Sequence, residues 1–209
     1  MRSAAAEGVP SAAGAFYFDL ASPLAYLAAE RVLHALPGPA EWRPVLASEL
    51  GGAESFEAFR CGEERESFRS DLARRARALS LQPLRWPEPF PFDSSMAMRV
   101  ATYARSIGRV VPFAQAAFRQ AFAGGRSLQD PDSVLIAAAA CEMHPAAVLR
   151  ASQLRSVAET LARCTSEATA AGVRDVPAIL VGDVLFSGER AVEDAAALML
   201  AARTGTLGG

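Results

Sequence analysis

The sequence contains no lysine, and all 21 of its basic residues are arginine. This absence excludes catalysis through a lysine Schiff base or a lysine general base. An excess of charge of one sign is also lacking, because 23 acidic residues bring the formal net charge to only −2. There is thus no general electrostatic attraction to nucleic acid or to a membrane surface, and we predict neither as a partner.

Cysteine is scarce, with three scattered copies at Cys61, Cys141 and Cys164. None belongs to a C-x-x-C pair, so disulfide exchange through such a dithiol is excluded, and we predict free thiols. Cys141 and His144 have a C-x-x-H spacing, but zinc needs about four ligands and no second pair follows. We therefore predict no metal site and interpret Cys141 as a packed helix residue.

Long apolar runs are also missing, and no stretch approaches the length that a membrane-spanning helix needs. The first 14 residues are rich in alanine, glycine and serine and lack the apolar run of a secretory signal, so we interpret them as a flexible lead-in. The predicted location is the cytoplasm. With 209 residues, 51% of them hydrophobic, the chain can form one large domain or a small domain carrying an insertion.

The most informative stretch begins with Ala15–Phe18, whose apolar and aromatic residues predict a buried strand. Ser22 then suits a helix N-cap, and Pro23 suits the first helical position, where a missing N–H costs nothing. The helix is predicted to run from Leu24 to about Leu36. Ser22 thus lies at the positive end of a helix dipole, which favours an anion such as a thiolate. Judged from Ser22 and Pro23 alone, a helix cap without an anion-binding role is the commoner interpretation.

Beyond this corner, the pattern predicts a small α/β core. A second strand is predicted at 40–46, where Pro44 favours a sheet edge or a strand end. Two further strands are predicted at 178–181 and 184–186, joined by a tight Gly182-Asp183 turn whose residue order is the reverse of the favoured Asp-Gly. A closing helix over 191–203 completes the core.

The order of these elements divides the chain into two domains. Residues 15–50 and 172–203 are predicted to form one sheet with flanking helices, and residues 54–171 an all-helical insertion. Helices within the insertion are predicted at 54–79, 95–106, 109–123, 131–144 and 145–171, the last with a break. Arginines in the first of these helices alternate with acidic residues, which favours a solvated, ion-paired face over an anion site.

Several motifs in this order resemble a known family. They are Phe16-Tyr17-Phe18-Asp19, Ser22-Pro23-x-x-Tyr26-Leu27, Trp42-Arg43-Pro44, Ala97-x-Arg99, Asp130-Pro131 and Gly172-Val173-x-x-Val176-Pro177. Together they resemble the DsbA superfamily of thioredoxin-like proteins, and within it the 2-hydroxychromene-2-carboxylate isomerases and the kappa-class glutathione transferases. The resemblance implies an α/β thioredoxin-like fold with a long all-helical insertion.

The resemblance also implies a glutathione-dependent isomerase or transferase that acts on a small organic acid. In the disulfide oxidoreductases of this fold, cysteines occupy the positions of Ser22 and Ala25, and this chain has neither. The implied catalytic role of Ser22 is to donate a hydrogen bond to the thiolate of glutathione, the cosubstrate. Relatives in this family are often dimers, so a homodimer is one expected assembly.

Glutathione is expected to contact Ser22, Pro23, Val176, Pro177 and the Gly188-Glu189-Arg190 segment. The Val176-Pro177 bond resembles the cis-proline of the family, and we predict it to be cis, with the Ser22 hydroxyl facing Pro177 across an open pocket. The N–H and C=O of Val176 would then pair with glutathione like an added strand. Where the family often reads Gly-x-Asp-Arg, this chain reads Gly188-Glu189-Arg190-Ala191, so the acid that binds the γ-glutamyl group has moved or been lost.

Three residues are implied near the substrate. Arg43 or Arg99 is expected to hold a carboxylate, a task that suits an arginine fork, although both could equally be surface ion-pair partners. Asp93 precedes two serines where the family often has Asn-Thr or Asn-Ser. An alternative function is a redox-inactive DsbA-like module that binds a thiol or a peptide beside Val176. A third alternative, a thiol supplied by Cys61, is disfavoured because Cys61 falls in the helical insertion.

Overall fold

The computed structural model describes residues 14–51 and 62–204, and its centre is a four-stranded mixed sheet in the order β2-β1-β3-β4. The strands are β1 Gly14–Phe18, β2 Ala40–Pro44, β3 Ala178–Val181 and β4 Val184–Ser187. Strand β1 pairs in parallel with β2 and antiparallel with β3, which pairs antiparallel with β4. The early and late segments of the chain therefore meet in one sheet, as the strand pattern predicts.

Helices flank the sheet and make up the segment between its two halves. They are α1 Pro23–Ala35, α2 Gly62–Ala78, α3 Ser95–Ser106, α4 Val110–Phe122, α5 Pro131–Ala139, α6 Pro145–Gln153, α7 Arg155–Ala170 and α8 Ala191–Arg203. No strand lies within residues 62–171. The predicted break after residue 145 occurs at Leu154, between α6 and α7. The start of the helix predicted from residue 54, and Cys61 with it, lie outside the described residues.

Proline and short polar side chains begin several of these helices. The Ser22 hydroxyl accepts the N–H of Ala25 at the start of α1, and Pro23 occupies the first turn. Asp130 does the same for α5 by accepting the N–H of Asp132, so both predicted caps are confirmed. These side chains satisfy N–H groups that have no partner within the helix.

The two faces of the sheet belong to separate apolar clusters, because successive side chains of a strand point to opposite sides. Phe16, Phe18 and Ile179 pack in the larger cluster together with residues of α1, α3, α4 and α8. Tyr17 and Ala178 face the other way, in a smaller cluster that includes residues of α7 and the segment before β3. Burying a large apolar side chain contributes roughly 1.5–3 kcal/mol, so the aromatic residues of β1 anchor both layers.

Pro44 and Gly182 lie at positions that suit the missing N–H of proline and the positive φ open to glycine. Pro44 is the last residue of β2, at the edge of the sheet, where its missing N–H breaks no ladder hydrogen bond. Gly182 has a φ of +58° at the first position of the β3–β4 turn. A two-residue turn of type II′ takes glycine at this position, which explains why the order Gly182-Asp183 works here.

Two cysteines lie in the described part of the chain, and both are buried free thiols. Cys141 packs in the larger cluster, but it lies in the turn after α5 and not within a helix. Burial raises the pKa of its thiol, so this cysteine behaves as a packing residue. None of the described helices is both long enough and apolar enough to cross a membrane.

Candidate active site at the start of the first helix

The corner between β1 and α1 holds Ser22 in a closed hydrogen-bond network. Its backbone N–H donates to the carbonyl of Asp19 at 3.0 Å, and its Oγ accepts the N–H of Ala25 at 3.1 Å. The same Oγ donates to the carbonyl of Val176 at 3.2 Å, across 154 positions of sequence. Ser22 is 0% exposed, so the predicted opening of its hydroxyl to a pocket is not seen.

The Val176-Pro177 peptide bond, opposite Ser22, is cis, as predicted. The N–H of Val176 donates to the Asp175 carboxylate at 2.7 Å, and its carbonyl accepts from Ser22. Both backbone groups expected to pair with glutathione are therefore bonded to side chains of this chain. A ligand that paired with Val176 would have to replace both bonds.

A cavity of about 250 Å³ lies beside this corner, between α1, α2 and the start of α8. Pro177, Gly188, Glu189 and Arg190, all predicted to contact glutathione, are among its lining residues. The rest of its wall is formed by Leu24, Leu27, Ala28, Arg31, Arg75, Ala78, Leu79, Val192 and Glu193. Ser22, Pro23 and Val176 do not line it, so the predicted contact residues divide between a buried corner and an open cavity.

Ion pairs cross the wall of this cavity. Arg31 contacts Glu193 at 2.8 Å, and Arg75 of α2 contacts Glu189. Burial acts to raise the pKa of Glu193, but hydrogen bonds from Arg31 and from its own backbone N–H outweigh this and hold the pKa below its ordinary value. Arg31 was not a candidate from the sequence, and Arg75 belongs to the arginines of α2 that alternate with acidic residues, a pattern that favours a solvated, ion-paired face.

Asp19 is a buried acid directly behind the corner, only 2% exposed. Its carboxylate accepts the N–H groups of Ala21 at 2.9 Å and Ala47 at 2.8 Å, and the hydroxyl of Ser94. Burial raises its pKa, against the lowering effect of these hydrogen bonds. Asp19 thus ties β1 to the segment after β2 and to the start of α3. In the sequence, Asp19 was part of the Phe16-Tyr17-Phe18-Asp19 motif, but no role was predicted for it.

Arg43 lies elsewhere, on β2 at the edge of the sheet. Its Nε donates to Glu41 at 2.8 Å, and its guanidinium carbon is 6.0 Å from the centroid of the Tyr17 ring. Glu41 also pairs with Arg105 of α3. Arg43 is therefore part of an ion-pair network at the sheet edge and does not line the cavity.

Asp93 and Arg99 lie at the start of α3, also outside the cavity lining. Asp93 accepts the N–H of Ser95 at 2.8 Å, and hydrogen bonds from the Ser95 side chain and backbone are the main cause of its lowered pKa. Arg99 donates to the carbonyl of Ser152 at 3.4 Å, at the end of α6. The predicted substrate residues thus lie outside the cavity that Pro177 and the Gly188-Glu189-Arg190 segment line.

Metal ligation is not supported in the described part of the chain. Within residues 14–51 and 62–204, no group of three or more His, Cys, Asp or Glu side chains is arranged to hold a metal ion. The groups available at the candidate site are therefore hydroxyl, guanidinium, carboxylate and backbone atoms.

Comparison with known proteins decides the family. The model of the DSBA-like thioredoxin domain matches residues 15–199. The chain belongs to this family. The predicted thioredoxin-like fold with a helical insertion, and the resemblance to the DsbA superfamily, are confirmed. No curated protein matches the chain.

Solved structures agree with this assignment at low identity. A 2-hydroxychromene-2-carboxylate isomerase is 18% identical, with a TM-score of 0.76 over 94% of this chain and 99% of that chain. A probable DsbA oxidoreductase from Streptomyces coelicolor is 18% identical, with a TM-score of 0.77 over 91% and 89%. The cytosolic disulfide reductase DsbM from Pseudomonas aeruginosa, solved with GSH, is 13% identical, with a TM-score of 0.63 over 93% and 98%. At this identity the similarity shows the fold, which both isomerases and oxidoreductases use.

Proposed function

We propose that this protein is a glutathione-dependent isomerase or transferase of the 2-hydroxychromene-2-carboxylate isomerase type. The observation that carries the proposal is the geometry of Ser22. A serine, not a cysteine, caps the first helix and bonds to the carbonyl of the cis Val176-Pro177 peptide. Pro177 in turn lines a cavity that the chain leaves unfilled.

The cavity supports glutathione as the ligand through the chemistry of its wall. Its volume of about 250 Å³ is below the roughly 300–1,000 Å³ typical of ligand sites, so a bound glutathione would extend out of it. Its wall combines apolar side chains of α1 and α2 with charged groups of the Gly188-Glu189-Arg190 segment, which suits a peptide with charged ends. A DsbM relative of the same fold is solved with GSH, which supports the same cosubstrate here.

Bound glutathione would supply a thiolate that adds reversibly to an unsaturated acid, so that the bond can rotate before the thiolate leaves. Ser22 would favour that thiolate by donating its O–H to sulfur in place of the Val176 carbonyl. The N-terminus of α1 favours the same negative charge, because Ser22 stands at the positive end of its dipole. The other proposed substrate contacts are Arg43, Asp93 and Arg99. Because none of them lines the cavity, they would contact the part of the acid that extends beyond it.

Disulfide exchange is not proposed for this site. That reaction needs an attacking thiolate and usually a resolving thiol, and the chain has Ser22 and Ala25 at the two positions. The alternative function is a redox-inactive module that binds a thiol or a peptide. The full burial of Ser22 favours it, since the corner is already hydrogen-bonded without a ligand.

The deciding experiment follows 2-hydroxychromene-2-carboxylate by ultraviolet absorbance with and without glutathione, using wild type, Ser22→Ala and Ser48→Ala. Ser48 is an exposed serine outside the cavity and serves as the matched control. We expect glutathione-dependent conversion that Ser22→Ala reduces and Ser48→Ala leaves unchanged. Glutathione binding without conversion of this or related unsaturated acids would favour the binding module instead.

A further inference from the structure

We propose that Arg31 and Arg75 form a carboxylate-binding pair in the cavity beside Pro177, so that its ligand is an organic anion with a free carboxylate. The identification of that anion with glutathione rests on the proposed function. The arginine pair itself rests on the cavity and can be tested apart from it.

The two arginines come from different parts of the chain and meet in one cavity. Arg31 belongs to α1, next to the sheet, and Arg75 belongs to α2, in the helical segment between the two halves of the sheet. The wall between them carries the apolar side chains of Leu24, Leu27 and Leu79. A ligand with an apolar body and a carboxylate would therefore find both kinds of surface in one site.

In each of the two ion pairs, the arginine side chain is less exposed than the glutamate side chain. The side chain of Arg31 is 23% exposed and that of its partner Glu193 is 46% exposed. The side chain of Arg75 is 30% exposed, against 57% for Glu189. All four side chains line the cavity, and the arginine is the less exposed member of each pair. Because exposed ion pairs contribute little to stability, either glutamate can turn outward at small cost.

Each guanidinium also retains unused hydrogen-bonding capacity. Both ion pairs include the terminal nitrogen Nη2, and a guanidinium carries five N–H donors, more than one carboxylate engages. A ligand carboxylate can engage two of these donors at once in the fork geometry that makes arginine a strong carboxylate partner. Exchange of a glutamate for such a ligand would therefore leave the arginine paired.

The start of α8 reinforces the positive character of the same wall. Its N-cap residue, Arg190, makes no capping hydrogen bond through its side chain, and Val192 and Glu193 of the first turn line the cavity. Backbone N–H groups at this end carry partial positive charge. Glu189 and Glu193 would repel the charge of about −2 that a phosphate concentrates on one group more than the single charge of each carboxylate, which favours a carboxylate ligand.

The test measures binding by isothermal titration calorimetry with glutathione and with its diethyl ester, in which the carboxylates are masked. Wild type is compared with Arg31→Gln and Arg75→Gln. Arg74→Gln is the control for α2, since Arg74 pairs with Asp71 and does not line the cavity. Arg119→Gln is the control for α1, since Arg119 pairs with Glu30.

We expect each cavity variant to weaken glutathione binding about tenfold, the loss typical of one charged hydrogen bond. The two controls should bind like wild type. The diethyl ester should bind more weakly than glutathione to wild type and equally to all variants. Glu193→Gln should strengthen glutathione binding severalfold, because it removes the carboxylate that competes for Arg31. Inorganic phosphate should compete poorly.

Glutarate, a dicarboxylate without thiol or peptide, separates this inference from the proposed function. Suppose that glutarate binds wild type but not the arginine variants, and that glutathione does not bind. This result would support the carboxylate-binding role of the arginine pair and reject the glutathione-dependent function. If glutathione binds with the same affinity to Arg31→Gln and Arg75→Gln, or its ester binds as well as the acid, the pair is overturned. Tighter binding of phosphate than of glutarate, or no binding of any of these anions, also overturns it.

Discussion

The corner around Ser22 and the charged cavity beside it differ in burial and in the contacts that hold their side chains. In the corner, Asp19, Ser22 and Val176 are buried and hydrogen-bonded to one another or to backbone. In the cavity, Arg31 and Arg75 are half-buried and held by exposed glutamates. A buried, satisfied network resists rearrangement, whereas exposed ion pairs exchange readily. We infer that the ion pairs of the cavity would exchange for a ligand more readily than the hydrogen bonds of the corner.

The largest effect on the free energy of unfolding is expected from Asp19→Ala, a substitution in the corner. It would remove the acceptor of two buried N–H groups and of the Ser94 hydroxyl. We expect a loss of about 2–4 kcal/mol of unfolding free energy, measured by urea denaturation. Asp183→Ala, in the exposed β3–β4 turn, should lose much less. Equal losses in the two variants would show that the corner is not a tight network.

Ser22→Ala should come next, at about 1–2 kcal/mol, because it removes a helix cap and the hydrogen bond to Val176. It should leave binding of carboxylate probes in the cavity unchanged, since Ser22 does not line it. Thermal unfolding and calorimetry on the same protein measure the two effects. Loss of glutarate binding in this variant would mean that the corner and the cavity do not act independently.

The pH dependence of stability should carry a signature of Asp19. Its pKa is raised above 3.8 in the folded chain, so the unfolded chain releases the proton first as the pH rises. The stability that Asp19 contributes is therefore fully present below 3.8 and declines as the pH rises towards its folded pKa. Subtracting the Asp19→Asn curve removes the titration of other carboxyls. A difference that grows with pH would contradict the raised pKa.

The smallest effect on stability is expected from the cavity. Arg75→Gln breaks the pair with Glu189, whose side chain is 57% exposed, so the loss should stay within about 0–1 kcal/mol. Urea denaturation without ligand measures it. A loss as large as that of Ser22→Ala would show that the pair is structural and that the contrast between the two regions is wrong.

Local sequence alone was enough for the elements that depend on neighbouring residues. The apolar run before Ser22 and the cap-proline pair Ser22-Pro23 predict β1 and the start of α1 within about one residue of the observed bounds. Asp130-Pro131 does the same for α5. Two short apolar runs and the Gly182-Asp183 turn between them predict the β3–β4 hairpin. Capping and turn formation are short-range events, so a few adjacent residues carry the information.

Tertiary structure alone decided which residues of these elements come together at the candidate site. The hydrogen bond from Ser22 to Val176 spans 154 positions, and it buries a hydroxyl that local pattern placed at an open helix start. Arg75 occupies a helix face that local pattern describes as solvated, and local pattern gave no signal for Arg31. Only the packing of α2 beside α1 brings both to one cavity. The sequence determined which elements form, because that depends on neighbours along the chain. Burial and charge at the site depend on residues distant in sequence, so only the folded chain determined them.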